Sequence, residues 1–139
     1  NGTMFGEALV ITRPELTKGF FRMKKRLLTV MEKGWIQGVQ FLTVFEDDLY
    51  FKMGRQANEM AARLQNGLKA KGWKLWVESP TNQVFVIAPN DKKPLLDEVC
   101  QYEDWCPYDA DHTVVRFVAC FHTTEADVDG FLSALPDLK

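Results

Sequence analysis

The chain has 139 residues, 46% of them hydrophobic and 26% charged, with 17 Lys and Arg set against 19 Asp and Glu for a formal charge of -2. That composition suits one soluble globular domain, or one domain plus a piece of another, and it lacks the clearly basic balance that a nucleic-acid partner calls for. No apolar run reaches the length of a membrane span, the first residues do not read as a secretory signal, and the unpaired spacing of Cys100, Cys106 and Cys120 favours reduced thiols in a cytoplasmic protein over a disulfide framework or a zinc site.

The opening, NGTMFGEALVIT, places Ala8, Leu9, Val10 and Ile11 in one apolar run after Gly2 and Gly6. A run of that kind reads as a strand buried on both faces. An isolated strand is not stable, so its partner strands are expected outside these residues. Next, Pro14 suits the first turn of a helix. Leu16, Phe20, Met23, Leu27 and Val30 follow at spacings of three and four, which predicts one helix over residues 14–33. Residues 35–45, WIQGVQFLTVF, carry no charge and predict a second, buried helix. Asp47 and Asp48 then stand where an N-cap would be. A long helix is expected to about Ala70, with Leu49, Met53, Ala57, Met60, Leu64 and Leu68 facing inward and Gly72 as its stop.

Beyond Gly72 the pattern changes to short strands alternating with helices. Residues 73–77 and 83–88 are strand candidates separated by Ser79, Pro80 and Asn82. Residues 91–101 read as a short helix with Pro94 in its first turn, and residues 102–111 as an irregular or weakly extended stretch. Residues 113–121, TVVRFVACF, make a third strand. Thr124 and Asp127 form a capping-box-like pair ahead of a last helix that turns Val128, Phe131, Leu132 and Leu135 inward. The order predicts a small sheet covered by helices on one side.

Three stretches of this pattern resemble a known family in its own order. NGTMFGEALVI is similar to the segment that follows the cofactor lysine in threonine aldolases and β-eliminating lyases. RQANEMAARLQNGL resembles their long helix, and VVRFVACFHTTEADVDGFLSAL resembles their last strand and helix. The resemblance implies an α/β fold of the aspartate-aminotransferase-like, pyridoxal-phosphate-dependent type. Only part of that fold would be here: residues 1–45 as the end of the large domain and residues 46–139 as the small C-terminal α+β domain. It also implies a cofactor lysine one residue before Asn1. Pyridoxal phosphate is then the expected cofactor, serving as an electron sink at the substrate α-carbon. The N-terminal remainder of the same protein would supply most of its site. The activity implied is cleavage of β-hydroxy-α-amino acids, of threonine or phenylserine type, to glycine and an aldehyde. The implied assembly is a homodimer or homotetramer, with an amino-acid substrate and neither nucleic acid nor membrane as partner.

Arg116 is the principal site candidate. It is a charge in the middle of TVVRFVACF, where it needs a partner, and a planar guanidinium can grip a carboxylate with two parallel hydrogen bonds. The resemblance assigns an arginine at this place to the substrate carboxylate; the alternative is an edge-strand arginine facing water or a structural Asp. Ala119 and Cys120 depart from the Thr-His or Thr-Ser of many aldolases. Lys25, in FRMKKRL, falls on a lysine that aldolases place near the cofactor of a neighbouring subunit; the alternative is a solvated helix face. Asn1 either contacts the cofactor phosphate or sets a turn. The stretch VMEKGWIQGVQF departs from the Gly-rich aldolase landmark and draws the chain toward the broader β-eliminating group. His112 and His122 suit surface or capping roles, and Glu46, Asp47 and Asp48 suit compensation of a helix dipole better than a metal cluster. Other readings are an aminotransferase, a desulfurase using Cys100 or Cys106, and a non-catalytic ligand-binding α+β module.

Overall fold

A computed structural model describes residues 2–138 and divides the chain into two compact units, residues 1–50 and 51–139. Asn1 lies outside the described residues.

In the first unit the expected strand over residues 7–12 does not form. The segment has no assigned secondary structure and is mostly exposed, because no strand among the described residues pairs with it. Ahead of it, Gln40 Oε1 accepts from the backbone N–H groups of Met4 (2.8 Å) and Phe5 (3.3 Å). The single helix expected over residues 14–33 is also corrected. A 3-10 turn, Pro14–Thr17, gives way at Gly19, whose φ of 76° is left-handed, and α1 spans Phe20–Arg26 only. Leu28 then takes a φ of 56°, which ends helical continuation. The apolar spacing that suggested one helix is real, but a left-handed residue breaks the chain at each end of α1. The helix expected over residues 35–45 is present as α2, Trp35–Phe45, but only its Val44 is buried. Without a covering layer in the described chain, the apolar faces of this unit stand open, with Leu28 at 92% and Trp35 at 67% exposure.

Helix α3, Leu49–Ala70, follows a 3-10 turn at Glu46–Asp48 in which Asp47 and Asp48 are both left-handed. Its inward stripe is as expected from Ala57 onward, while Leu49 is exposed. The helix stops in a Schellman arrangement. Gly72, at φ 86°, donates its N–H to Lys69 O (3.0 Å), and Trp73 donates to Leu68 O (3.0 Å). The accompanying apolar contact is in place because Leu68 and Trp73 are both core residues.

The second unit is built on a four-stranded antiparallel sheet in the order β1-β2-β4-β3: β1 Lys74–Val77, β2 Gln83–Pro89, β3 Glu103–Pro107 and β4 His112–Val118. Three of these were expected. β3 was not: its Glu-Asp-Trp-Cys-Pro composition is poor in strand formers, and an irregularity in its register breaks the alternation that would have revealed it. A short helix α4, Lys93–Val99, and a last helix α5, Glu125–Ala134, complete the unit. The capping box of α5 is complete. Thr124 Oγ1 accepts from Asp127 N–H (3.2 Å), and Asp127 Oδ2 accepts from Thr124 N–H (2.8 Å).

All three helices lie on one face of the sheet. Met60, Leu64 and Leu68 of α3, Leu96 of α4 and Val128 of α5 pack with Val84, Val86, Val115 and Phe117 in one core. Each such aliphatic burial contributes about 1.5–3 kcal/mol. One buried polar side chain belongs to this packing. Gln65 donates Nε2 to Ser79 O (2.9 Å) and accepts from Ser79 N–H (3.0 Å), fixing the β1–β2 connection to α3. No helix among the described residues is long and apolar enough to cross a membrane.

Two glycines of α3 give opposite expectations. A Cβ at Gly67 would run into Leu132 Cδ1 and lie 2.9 Å from its Cδ2, and Leu132 is itself packed on the core. Gly67→Ala should therefore cost about 1–3 kcal/mol through overpacking, against the roughly 1 kcal/mol alanine gains in helix propensity, a net loss of up to about 2 kcal/mol. A Cβ at Gly54 meets nothing described within 4 Å, so Gly54→Ala should stabilise by about 0.5–1 kcal/mol. Thermal unfolding of the two variants should show midpoint shifts of opposite sign.

Candidate functional site

Strand alternation sorts the residues of β4. Val115 and Phe117 enter the core with the helices, so Val114, Arg116 and Val118 point to the other face, where Val114 is buried and Val118 exposed. Directly across from Arg116 lie Phe85 on β2 and Glu103 on β3. Both edge strands carry a register irregularity, between Leu75 and Val77 in β1 and between Asp104 and Cys106 in β3. A tryptophan sits at each: Trp76, 46% exposed, and Trp105, 45% exposed. A bulge re-aims the side chain it carries, and here both rings come to Phe85. The Trp76–Phe85 and Phe85–Trp105 centroids are 6.0 and 5.3 Å apart, both in edge arrangements.

Arg116 closes the row, its guanidinium carbon 5.0 Å from the Trp105 ring centroid. Its Nη1 donates to Gln83 Oε1 (3.1 Å), and its Nη2 donates to Glu103 Oε2. Its Nε is buried with no hydrogen-bond partner among the described residues. The Arg116 side chain is 25% exposed and that of Glu103 55%. The partner that Arg116 needed is thus partly supplied within the chain, by an acid on the neighbouring strand. Sequence reading missed Glu103, Gln83 and Trp105 because β3 itself was not recognised and cross-strand neighbours are distant in sequence. The stretch TVVRFVACF marks Arg116 as a mid-strand charge in need of a partner but not which residue faces it.

The other candidates have surroundings of their own. Lys25 is an exposed residue of α1, its ammonium 5.5 Å from the Phe21 ring centroid. It belongs to the first unit, whereas Arg116 belongs to the second. One exposed lysine does not build a pyridoxal-phosphate site, so the described residues do not by themselves fit that group. His112 donates its Nδ1–H to Asp109 Oδ1 (2.8 Å), and this bond, with the Asp111 N–H, holds the Asp109 carboxyl below its ordinary range. His122 lies against Phe121, with centroids 4.4 Å apart. Both are local surface arrangements.

The cysteines are free, and two differ in their surroundings. Burial, with Asp97 nearby, pushes the Cys100 thiol up to about 11. Exposed Cys120 is lowered, chiefly by the Thr123 hydroxyl, which lies 3.6 Å from its Sγ. A thiol that stays protonated at neutral pH is a poor nucleophile, which weighs against a desulfurase role for Cys100.

The sheet, with helices on one face and an arginine-ended aromatic row on the other, defines a small mixed α/β domain. No protein-family model and no curated protein matches the chain. Among solved structures it is similar to the threonine aldolase of Leishmania major, with 31% identity and a TM-score of 0.67 over 72% of this chain and 29% of that one. The chain has a threonine aldolase-like fold and spans less than a third of the length of that enzyme.

The thiol environments predict an order of labelling. Alkylation at neutral pH, followed by mass spectrometry of peptides, should modify Cys120 before Cys100. Faster labelling of Cys100 would contradict the protonation states that the two environments impose.

Proposed function

We propose that this chain is the C-terminal portion of a pyridoxal-phosphate-dependent lyase that cleaves β-hydroxy-α-amino acids of threonine or phenylserine type to glycine and an aldehyde. Arg116 holds the substrate α-carboxylate. The observation that carries this reading is that the Arg116 guanidinium, on the sheet face opposite the helices, already engages a carboxylate, that of Glu103, with Gln83 and Trp105 beside it. Likeness to a threonine aldolase supports it. When bound, pyridoxal phosphate supplies an electron sink at the substrate α-carbon; the site for it is proposed to lie mainly on the remainder of the protein, with Lys25 reaching it from a neighbouring subunit.

Carboxylate capture by Arg116 contributes orientation. Two parallel hydrogen bonds to a planar guanidinium fix the carboxylate plane, and with it the rotation about the bond to the α-carbon. The bond to be broken is thereby held in one direction rather than sampled. An α,β-elimination on the same amino-acid skeleton needs the same hold, so it is the nearest alternative reaction for this site.

Arg116→Lys keeps the charge and removes the fork. Charge-assisted contacts of this kind are worth roughly 1.5–3 kcal/mol, so kcat/KM of the whole protein on threonine or phenylserine should fall on the order of ten- to a hundredfold. Steady-state kinetics decide it. Activity within about twofold of the unmodified protein at unchanged KM would make Arg116 a structural residue.

The first unit supports an assembly. Met4, Leu9, Val10, Leu28 and Leu42 are all strongly exposed, and apolar surface on that scale is ordinarily covered by another chain or domain. Sedimentation of the whole protein at micromolar concentration should give a dimer or larger species. A fully active monomer would refute that expectation.

A further inference from the structure

The Arg116–Glu103 pair is unequal in a way that bears on how a ligand reaches the arginine. The guanidinium is held on several sides. Trp105 stacks on it, Gln83 takes Nη1 and its Nε is buried. Glu103 is held by less: its side chain is 55% exposed and it stands on β3, an edge strand. When the pair opens, the acid is therefore the member free to move into water while the arginine keeps its place. A guanidinium offers carboxylates two forks, Nε with Nη2 and Nη1 with Nη2. Both run through Nη2, the nitrogen that Glu103 occupies. An incoming carboxylate must either take that nitrogen from Glu103 or share it against a second negative charge. Along the Nε edge it would also satisfy a buried donor that Glu103 leaves unpartnered.

We infer that Glu103 is a resident counter-ion that occupies Arg116 in place of the α-carboxylate of an amino acid and yields it on binding, so that it sets the affinity of the site. The inference rests on the reading that Arg116 binds the substrate carboxylate, and it adds a specificity consequence. A ligand with one monodentate acceptor gains little against Glu103, whereas a carboxylate able to use the fork gains most. Glu103 acts through Arg116 and is a positioning residue, not a catalytic one.

Glu103→Gln keeps the side-chain length and removes the charge. In the whole, cofactor-loaded protein, calorimetric titration with glycine reads carboxylate binding without turnover. Exposed ion pairs are worth up to about 1 kcal/mol, so the glycine Kd should tighten on the order of twofold to fivefold in Glu103→Gln. Trp105 supplies a second readout, since its ring lies on the guanidinium. Glycine should change tryptophan fluorescence in the unmodified protein, and Trp105→Phe should abolish most of that change. A weakened or unchanged glycine Kd in Glu103→Gln overturns the inference and makes Glu103 a fixed brace for Arg116 or a bystander. Arg116→Lys in the same titration separates the two claims. If it leaves glycine affinity intact, the carboxylate reading itself falls; if it weakens affinity while Glu103→Gln fails to tighten it, only the counter-ion exchange falls.

Discussion

The alternation of a single central strand governs the second unit. β4 has neighbours on both sides and must bury one row of side chains under three helices. Val115 and Phe117 fill that row. Because the side-chain period of a strand is two, their burial forces Arg116 outward onto the opposite face. A slip of one residue would drive a guanidinium into an aliphatic core at a cost of several kcal/mol. The position of the candidate site is therefore enforced by the same packing that stabilises the sheet, and the register with β2 and β3 delivers Phe85 and Glu103 to either side of it.

The edges of the sheet follow a matching plan. β1 and β3 each interrupt their pairing by one residue and each place a tryptophan at the interruption. An edge strand with a regular ladder invites pairing with another chain. A bulge blunts that tendency and turns its side chain to a new direction. Here the two rings converge on Phe85, and Trp105 continues onto the guanidinium. The face opposite the helices is thus neither plain polar surface nor a second core. It is an aromatic row ending on the Arg116 guanidinium, which is paired with an acid more exposed than the arginine itself.

The first unit shows what happens when apolar pattern and burial part company. Its sequence has the spacing of helices and the run of a buried strand, yet among the described residues Val44 is its buried side chain. Residues 7–12 remain unpaired, and the helix expected over residues 14–33 is cut at Gly19 and Leu28. Hydrophobic periodicity states which face wants to be buried. It does not supply the layer that buries it, and short helices without such a layer gain little from lengthening.

Much of this protein was legible in its sequence wherever the determining interactions are local. The length of α3 and its stop at Gly72, the capping box at Thr124, and the strands β1, β2 and β4 all follow from residues within a few positions of one another, as does the need of Arg116 for a partner. β3 escaped because its composition is unfavourable and its pairing is set by β4, not by its own residues. Tertiary structure alone decided that Gln65 would fasten the β1–β2 connection, that two edge tryptophans would meet over Phe85, and that Glu103 would stand on Arg116. Those contacts join residues separated by turns and whole elements, so no local propensity encodes them. They exist because the sheet register brings them to one face, and that register is fixed only when the core closes.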